Sequence, residues 1–226
     1  MRFVYNKNFF SKNAEFPTFK SHRSRQCYTT NVVNRNIELI DGLLKLPKLK
    51  FVTIKHHRQI PEGHKIKSCT IFMTKTGEFF VSILTEYEKE IMEQPTHSFI
   101  GLDFAMNGLF VDSESGKRAN YPRFYRKMVE KLAKESSILA RRTKGSSRWN
   151  QQCLKVVEIH EKVANQRKAF LHKQSHRLAN QYDCVIIEDL NMKGMSQALK
   201  FGKSVFDNAW GMFTSYLDYK LKEQGK

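Results

Sequence analysis

A mixed α+β / α/β chain is predicted: a small antiparallel, barrel-like sheet region, then a second region whose apolar strands bracket a long basic helical hairpin. Three observations predict it. Short runs rich in β-branched and aromatic residues crowd residues 36–87, with turn residues between them. Apolar positions recur at helical spacing across 123–181. Two further apolar runs, 98–104 and 184–190, each carry a carboxylate near the end.

Residues 1 to about 35 read as irregular and basic. Phe9, Phe10, Phe16 and Phe19 alternate with Lys12, Lys20, Arg23 and Arg25. Rings among cations either stack on bases or tether a chain terminus to its neighbour. FVTIKHH (51–57), KIKSCTIFMT (65–74) and EFFVSIL (78–84) read as strands, with Pro61-Glu62-Gly63 and Thr76-Gly77 as turns. The charged stretch Tyr87–His97, with Pro95, is the linker expected between the two regions. SFIGLDF (98–104) and GLFVDS (108–113) then read as two strands joined at Ala105-Met106-Asn107.

Beyond Pro122, Tyr125, Met128, Val129, Leu132 and Leu139 predict a helix over 123–143. Gly145-Ser146-Ser147 breaks it. A second helix over about 149–181 has apolar positions every seven residues: Val156/Val157, Val163/Ala164, Phe170/Leu171 and Leu178. A short turn between two helices predicts an antiparallel pair. CVIIEDL (184–190) reads as a buried strand, and Phe206, Trp210, Phe213, Leu217 and Leu221 predict a last helix.

Charge narrows the partner. The 226 residues hold 39 Lys+Arg against 22 Asp+Glu, a formal net charge of +17. Between Lys117 and Arg177 there are 17 basic residues and four acids, a net of +13, leaving +4 for the rest. A solvated helical face explains such a run; its confinement to one segment points instead to a phosphate-tracking surface. With 40% hydrophobic residues the chain is not a disordered basic tail. No apolar run approaches the ~18 residues of a membrane span. Cys27, Cys69, Cys153 and Cys184 form no CxxC, against a zinc ribbon or a disulfide scaffold, and a reduced, cytosolic setting is expected.

Asp103 follows Phe99, Ile100 and Leu102, and Glu188 ends Val185-Ile186-Ile187. Carboxylates on buried strands lose hydration and need a cation or donors. On neighbouring strands the pair would hold Mg²⁺ or Mn²⁺ through oxygen alone. The local alternatives are a turn cap for Asp103 and a nearby cation for Glu188. Strand alternation turns Asp189 to the opposite face. His172 and His176, at i and i+4, lack a third ligand and read as exposed or phosphate-facing; His160-Glu161 continues Lys-Val-Ala and is no HExxH. Lys193-Gly194 reads as either a backbone turn near substrate phosphates or an ordinary loop.

The strings GLDFAMNGLFVDSESGK, NYPRFYRK, HEKVANQRKAFLHKQSHRLANQYDCVIIEDLNMKGM and DNAWGMF, together with KLPKLKFVTIKHHRQIPEGHKIKS, resemble transposon-encoded TnpB (OrfB) proteins over nearly the whole chain. Those are compact RNA-guided DNA endonucleases, related to the nuclease cores of type V CRISPR effectors. The resemblance implies two domains. Residues 1–96 would be a basic segment with a barrel-like, wedge-type nucleic-acid-binding domain. Residues 97–226 would be a partial RNase H-like (RuvC) nuclease domain with the helical hairpin as an insertion.

It further implies Asp103 and Glu188 as catalytic metal ligands, Mg²⁺ or Mn²⁺ as cofactor, and guide RNA and target DNA as partners. Arg141, Arg142, Lys144, Arg148, Lys155, Arg167, Lys168 and Lys173 are the expected nucleic-acid contacts, and the setting is cytoplasmic, at the nucleoid. Ala105 stands where the family has a glycine. The family's zinc ribbon and third catalytic aspartate would fall beyond Lys226, so no zinc is expected, and its opening strand would precede Met1. Asp207 and Asp218, assigned to the last helix, are poor substitutes for the third acid. The chain therefore looks truncated at both ends and inactive alone, or completed by another chain. The rivals are a nuclease-inactive, repressor-like or decayed transposase-accessory protein that only binds RNA and DNA, and a basic structural module packing on a partner.

Overall fold

The structure, a computed structural model, describes residues 26–192, 194–195 and 207–226. The aromatic and basic residues expected to act before Gln26 lie outside these, as do Lys193 and Phe206. Contacts divide the chain into two units, meeting in sequence at Tyr87 and Glu88.

The described residues of the first unit hold six strands: β1 (Cys27–Asn31), β2 (Glu38–Ile40), β3 (Leu43–Leu46), β4 (Lys50–Thr53), β5 (Lys65–Met73) and β6 (Phe79–Glu86). They form two antiparallel sheets, ordered β1-β5-β6 and β2-β3-β4. No strand pairing joins these sheets among the described residues, so the barrel-like expectation reduces to two open three-stranded sheets. The β2–β3 hairpin turns at Asp41 and Gly42, both with positive φ (46° and 79°), the left-handed geometry a two-residue hairpin needs to match strand twist. Alternation then sends Leu44 and Leu46 inward. They pack with Ile37 and Cys69, against Ile71, Val81 and Ile83 from the other sheet.

Two expectations need correction here. Cys27–Asn31 is strand, where the sequence reads as irregular: it pairs along β5 as an edge, and its polar composition hides the alternation. The run 51–57 is strand only to Thr53, after which His56, His57 and Arg58 are exposed. All four cysteines are free thiols.

In the second unit β7 (Phe99–Phe104) pairs antiparallel with β8 (Phe110–Asp112) and parallel with β9 (Cys184–Ile187), in the order β8-β7-β9. Among the described residues three helices accompany this sheet: α1 (Phe124–Ala140), α2 (Ser147–Gln181) and α3 (Trp210–Lys222). Ser146 starts α2, its hydroxyl accepting from the Trp149 N–H at 3.1 Å. At ~1.5 Å per residue α2 runs for about 50 Å and α1 for about half of that. The core takes Ile100, Leu102 and Phe110 from the sheet, Leu171, Leu178 and Ala179 from the far half of α2, and Trp210, Phe213 and Leu217 from α3. The near half of α2 packs on α1, where the Gln152 amide donates to the Glu135 carbonyl (3.0 Å) and carboxylate (2.6 Å).

The 184–190 run was expected to be a buried strand. Only Cys184–Ile187 is strand, and Ile186 and Ile187 are 59% and 38% exposed. Among the described residues β9 is the sheet edge, so its continuous apolar run is covered on one face only. Asp183 ties the start of β9 to that of β7. Its carboxylate accepts from the N–H groups of His97 and Ser98 and from the Ser98 hydroxyl, which hold it below the usual carboxylate range.

Candidate functional site

The β7–β9 pairing sets Phe99 beside Cys184 and Leu102 beside Ile187. One step further along the same register stand Asp103 and Glu188. Alternation places Phe99, Gly101 and Asp103 on one face with Cys184 and Ile186, while Ile100 and Leu102 point into the core. Continued past Ile187, that alternation would put both carboxylates on one sheet face; β9 itself ends at Ile187, with Glu188 just beyond it. Both are exposed.

Exposure corrects the expected environment. Hydration and salt screen the repulsion between them, so the fold does not require a cation to bring them together. Neither accepts a hydrogen bond or an ion pair among the described residues, which leaves both oxygen pairs available to a hard cation. No cluster of three or more His, Cys, Asp or Glu suited to a metal occurs among the described residues. Asp189, next in the chain, is also exposed.

The turn after Asp103 is closed by Gly108 N–H donating to Ala105 O at 3.2 Å. Asn208 reaches it from the start of α3, and Asp207 beside it is 4% exposed. Asp207 accepts from the Arg167 guanidinium at 3.2 Å and from the Tyr125 N–H at 3.3 Å, and its carbonyl takes the Tyr121 hydroxyl proton. Burial, foremost, pushes the Tyr121 phenol up to about 12. Asp207 and Asp218 were expected on the last helix. Asp207 instead precedes it and serves this internal network, while Asp218 lies within α3 and pairs with Lys222 at 2.9 Å.

The basic residues divide. Arg141, Arg142 and Lys144 are exposed in the α1–α2 connection, where Arg141 also donates to the Ser137 carbonyl at 3.3 Å. Arg148, Lys155, Lys168 and Lys173 are exposed on α2. Arg167 is the correction: its side chain is 20% exposed and its charge is directed inward onto Asp207. At 100° per residue, Arg148, Lys155, Lys162, Lys173 and Arg177 fall within about 60° of arc and make one stripe about 44 Å long, interrupted by the buried Ile159. All five are exposed and none makes a salt bridge among the described residues, although the Arg177 charge, behind the Ser115 hydrogen bonds, helps lower the Asp112 carboxyl pKa. Lys162 and Arg177 were missed in the sequence reading, although the spacing 148, 155, 162 was legible there. Lys168 lies on another face of the helix.

The two histidines face different neighbours. His172 stacks on Tyr216 with centroids 3.9 Å apart, and His176 bonds Asn180 at 3.1 Å. His172 is therefore packed between α2 and α3 and does not face phosphate.

The described residues thus offer two exposed acids following paired strand ends and exposed basic residues along α2. Comparison with known proteins supplies the family. Residues 82–199 match the OrfB_IS605 model, described as "Probable transposase", and the chain belongs to that family. A Streptomyces pristinaespiralis protein described as "Putative RNA-guided DNA endonuclease" is 31% identical over 225 residues, across 97% of this chain and 54% of its own length. The Escherichia coli (strain K12) "Putative RNA-guided DNA endonuclease InsQ" is 28% identical, across 97% and 57%. The chain thus spans about half the length of these curated relatives. A solved structure titled "Cryo-EM structure of CRISPR-Cas12f Ternary Complex" aligns with 97% of this chain and 56% of its own at 12% identity, with a TM-score of 0.39.

Proposed function

We propose that this chain grips nucleic acid and carries part of the metal centre of an RNA-guided, divalent-metal-dependent DNA endonuclease. Guide RNA and target DNA are its partners. The observation that carries this is that Asp103 and Glu188 each follow directly on the last paired residues of adjacent parallel strands, Leu102 and Ile187. The β8-β7-β9 order, with β9 parallel to β7, is compatible with a partial RNase H-like domain over 97–226, and residues 1–96 form the accompanying nucleic-acid-binding part. In this reading, phosphates run along the Arg148–Arg177 stripe, with Arg141, Arg142 and Lys144 at its end and Lys168 outside it.

Asp103 and Glu188 suit Mg²⁺ or Mn²⁺: both are acceptor-only, oxygen-bearing and without a competing partner among the described residues. When bound there, the ion supplies Lewis-acid stabilisation to a phosphodiester undergoing hydrolysis. The chain's own residues orient the backbone, through the stripe, and present the carboxylates at a fixed strand end.

A binding-only reading has one observation in its favour. No third acid accompanies the pair among the described residues, and two carboxylates hold a catalytic ion pair poorly. Both readings expect RNA and DNA binding; they part on cutting. Titration of Mn²⁺ against the protein, followed by the electron paramagnetic resonance signal of the free ion, tests the site: binding lost in Asp103→Ala and in Glu188→Ala supports it. Wild-type binding in both variants removes the metal reading. Guide-dependent cleavage in Mg²⁺ that is lost in Asp103→Ala would establish the enzyme over the binding-only protein.

A further inference from the structure

On the β9 side, strand pairing ends at Leu102 and Ile187, one step short of the acid pair. Asp103 is therefore held from the β8 side, through Val111 and through Phe104 opposite Phe110. That arrangement depends on the Ala105–Gly108 turn, and the turn is gripped by a residue a hundred positions away. The Asn208 side chain, 2% exposed, donates both amide hydrogens, to Ala105 O at 3.0 Å and to Gly108 O. The turn has no slack: a Cβ at Gly108 would come within 2.8 Å of the Arg118 side chain and the Ala119 carbonyl. Arg123 holds its outer side, donating to Asn107 Oδ1 at 3.2 Å.

The residues flanking Asn208 have matching duties. Asp207 is anchored to α1 and α2 through Tyr125 and Arg167. Trp210 packs edge-on against Phe104, the neighbour of Asp103, with centroids 5.7 Å apart. Between them Ala209 takes φ 55°, ψ 44°, a left-handed conformation unusual for alanine. That strained residue turns the chain so that Asn208 meets the turn and Trp210 meets the strand. Strain of this kind persists where the surroundings over-determine it, often beside functional sites.

We infer that Asp207 and Asn208 are positioning residues that set the place of the Asp103 carboxylate by clamping the β7–β8 turn. The inference rests on the reading of Asp103 and Glu188 as a metal-holding pair. Residues that orient a ligand from behind typically change metal affinity 10–100-fold when lost.

The test uses the full chain with Mn²⁺ as probe and amide hydrogen exchange at Leu109 and Val111 as second readout, at a temperature where every variant is folded. Asn208→Ala is expected to weaken Mn²⁺ binding about tenfold and to speed exchange at both amides. Leu217→Ala, which truncates the same core without touching the turn, is expected to leave Mn²⁺ binding within about twofold of wild type. Should Asn208→Ala not fold, Asn208→Ser adds no charge, cannot donate to both carbonyls and carries the same expectation. Wild-type Mn²⁺ affinity in the Asn208 variant, with binding lost in Asp103→Ala, overturns the positioning role and leaves the metal reading standing. An equal loss in Leu217→Ala reduces Asn208 to a stability residue and overturns it too. Binding retained in Asp103→Ala defeats the metal reading and the inference together.

Discussion

Replacing Lys162 and Arg177 by glutamine should change how binding responds to salt. None of the five exposed stripe cations makes a salt bridge among the described residues, and although the Arg177 charge acts on Asp112, each is exposed enough to displace a condensed counterion. For duplex DNA each neutralised phosphate contributes about 0.9 to the slope of log affinity against log salt. The five together contribute about 4.5 to that slope, beyond what Arg141, Arg142 and Lys144 add, which is about 500-fold between about 50 and about 200 mM salt. With two removed that contribution falls to about 2.7, or about 40-fold over the same change. Arg167→Gln deletes the same unit charge from the same helix and should leave the slope where it was. Its effect is on stability, about 3–5 kcal/mol, because the 4% exposed carboxylate of Asp207 loses its cation. Fluorescence anisotropy of a labelled duplex at four salt concentrations reads the slopes, and urea denaturation reads the stability. An unchanged slope in the double variant, or an equal fall in Arg167→Gln, would refute the assignment of these side chains from helix geometry.

Three further outcomes follow from the packing. Burial, then the Lys220 and Lys168 charges, holds the His172 imidazole below its ordinary pKa. The folded state therefore binds fewer protons than the unfolded one just below pH 6.5, so His172's contribution is complete above that pH and declines as pH falls. Lys220→Gln should flatten the stability profile between pH 5 and 7 in denaturant titrations. Tyr121→Phe removes the hydroxyl that donates to Asp207 O and should destabilise by about 1–2 kcal/mol. Because the folded phenol is raised to about 12, the wild-type advantage should hold below pH 10 and shrink as pH rises toward 12. Gly42→Ala forces an L side chain to φ 79° and should cost about 1–2 kcal/mol, seen as faster amide exchange in β2 and β3.

Local pattern carried most of the fold. Strands β5 to β8 and all three helices follow from period and turn chemistry, because their side-chain alternation is written in apolar letters. Strand β1 escaped because Cys-Tyr-Thr-Thr-Asn contrasts weakly between faces and forms only where β5 offers an edge. The Asp41-Gly42 hairpin was legible as a dipeptide of known geometry and went unread. The two sheets, unjoined among the described residues, depend on β1 finding β5 across 37 to 45 residues, and no local period encodes that choice.

The site divides along the same line. The expectation of Asp103 with Glu188, rather than Asp189, rests on a two-residue period, and both Glu188 and Asp189 are exposed just beyond the end of β9. Their exposure was not legible, since it depends on what covers the β9 side of the sheet. Arg167 and Lys168 make the point sharply: both lie in a run of cations and look equivalent in any charge count. One helical step turns Arg167 toward Asp207, forty residues on, and Lys168 toward solvent. A count over a segment therefore locates a basic surface but cannot assign its members. Helical phase can, which is why Lys162 and Arg177, absent from the expected contacts, belong to the stripe while Arg167 does not.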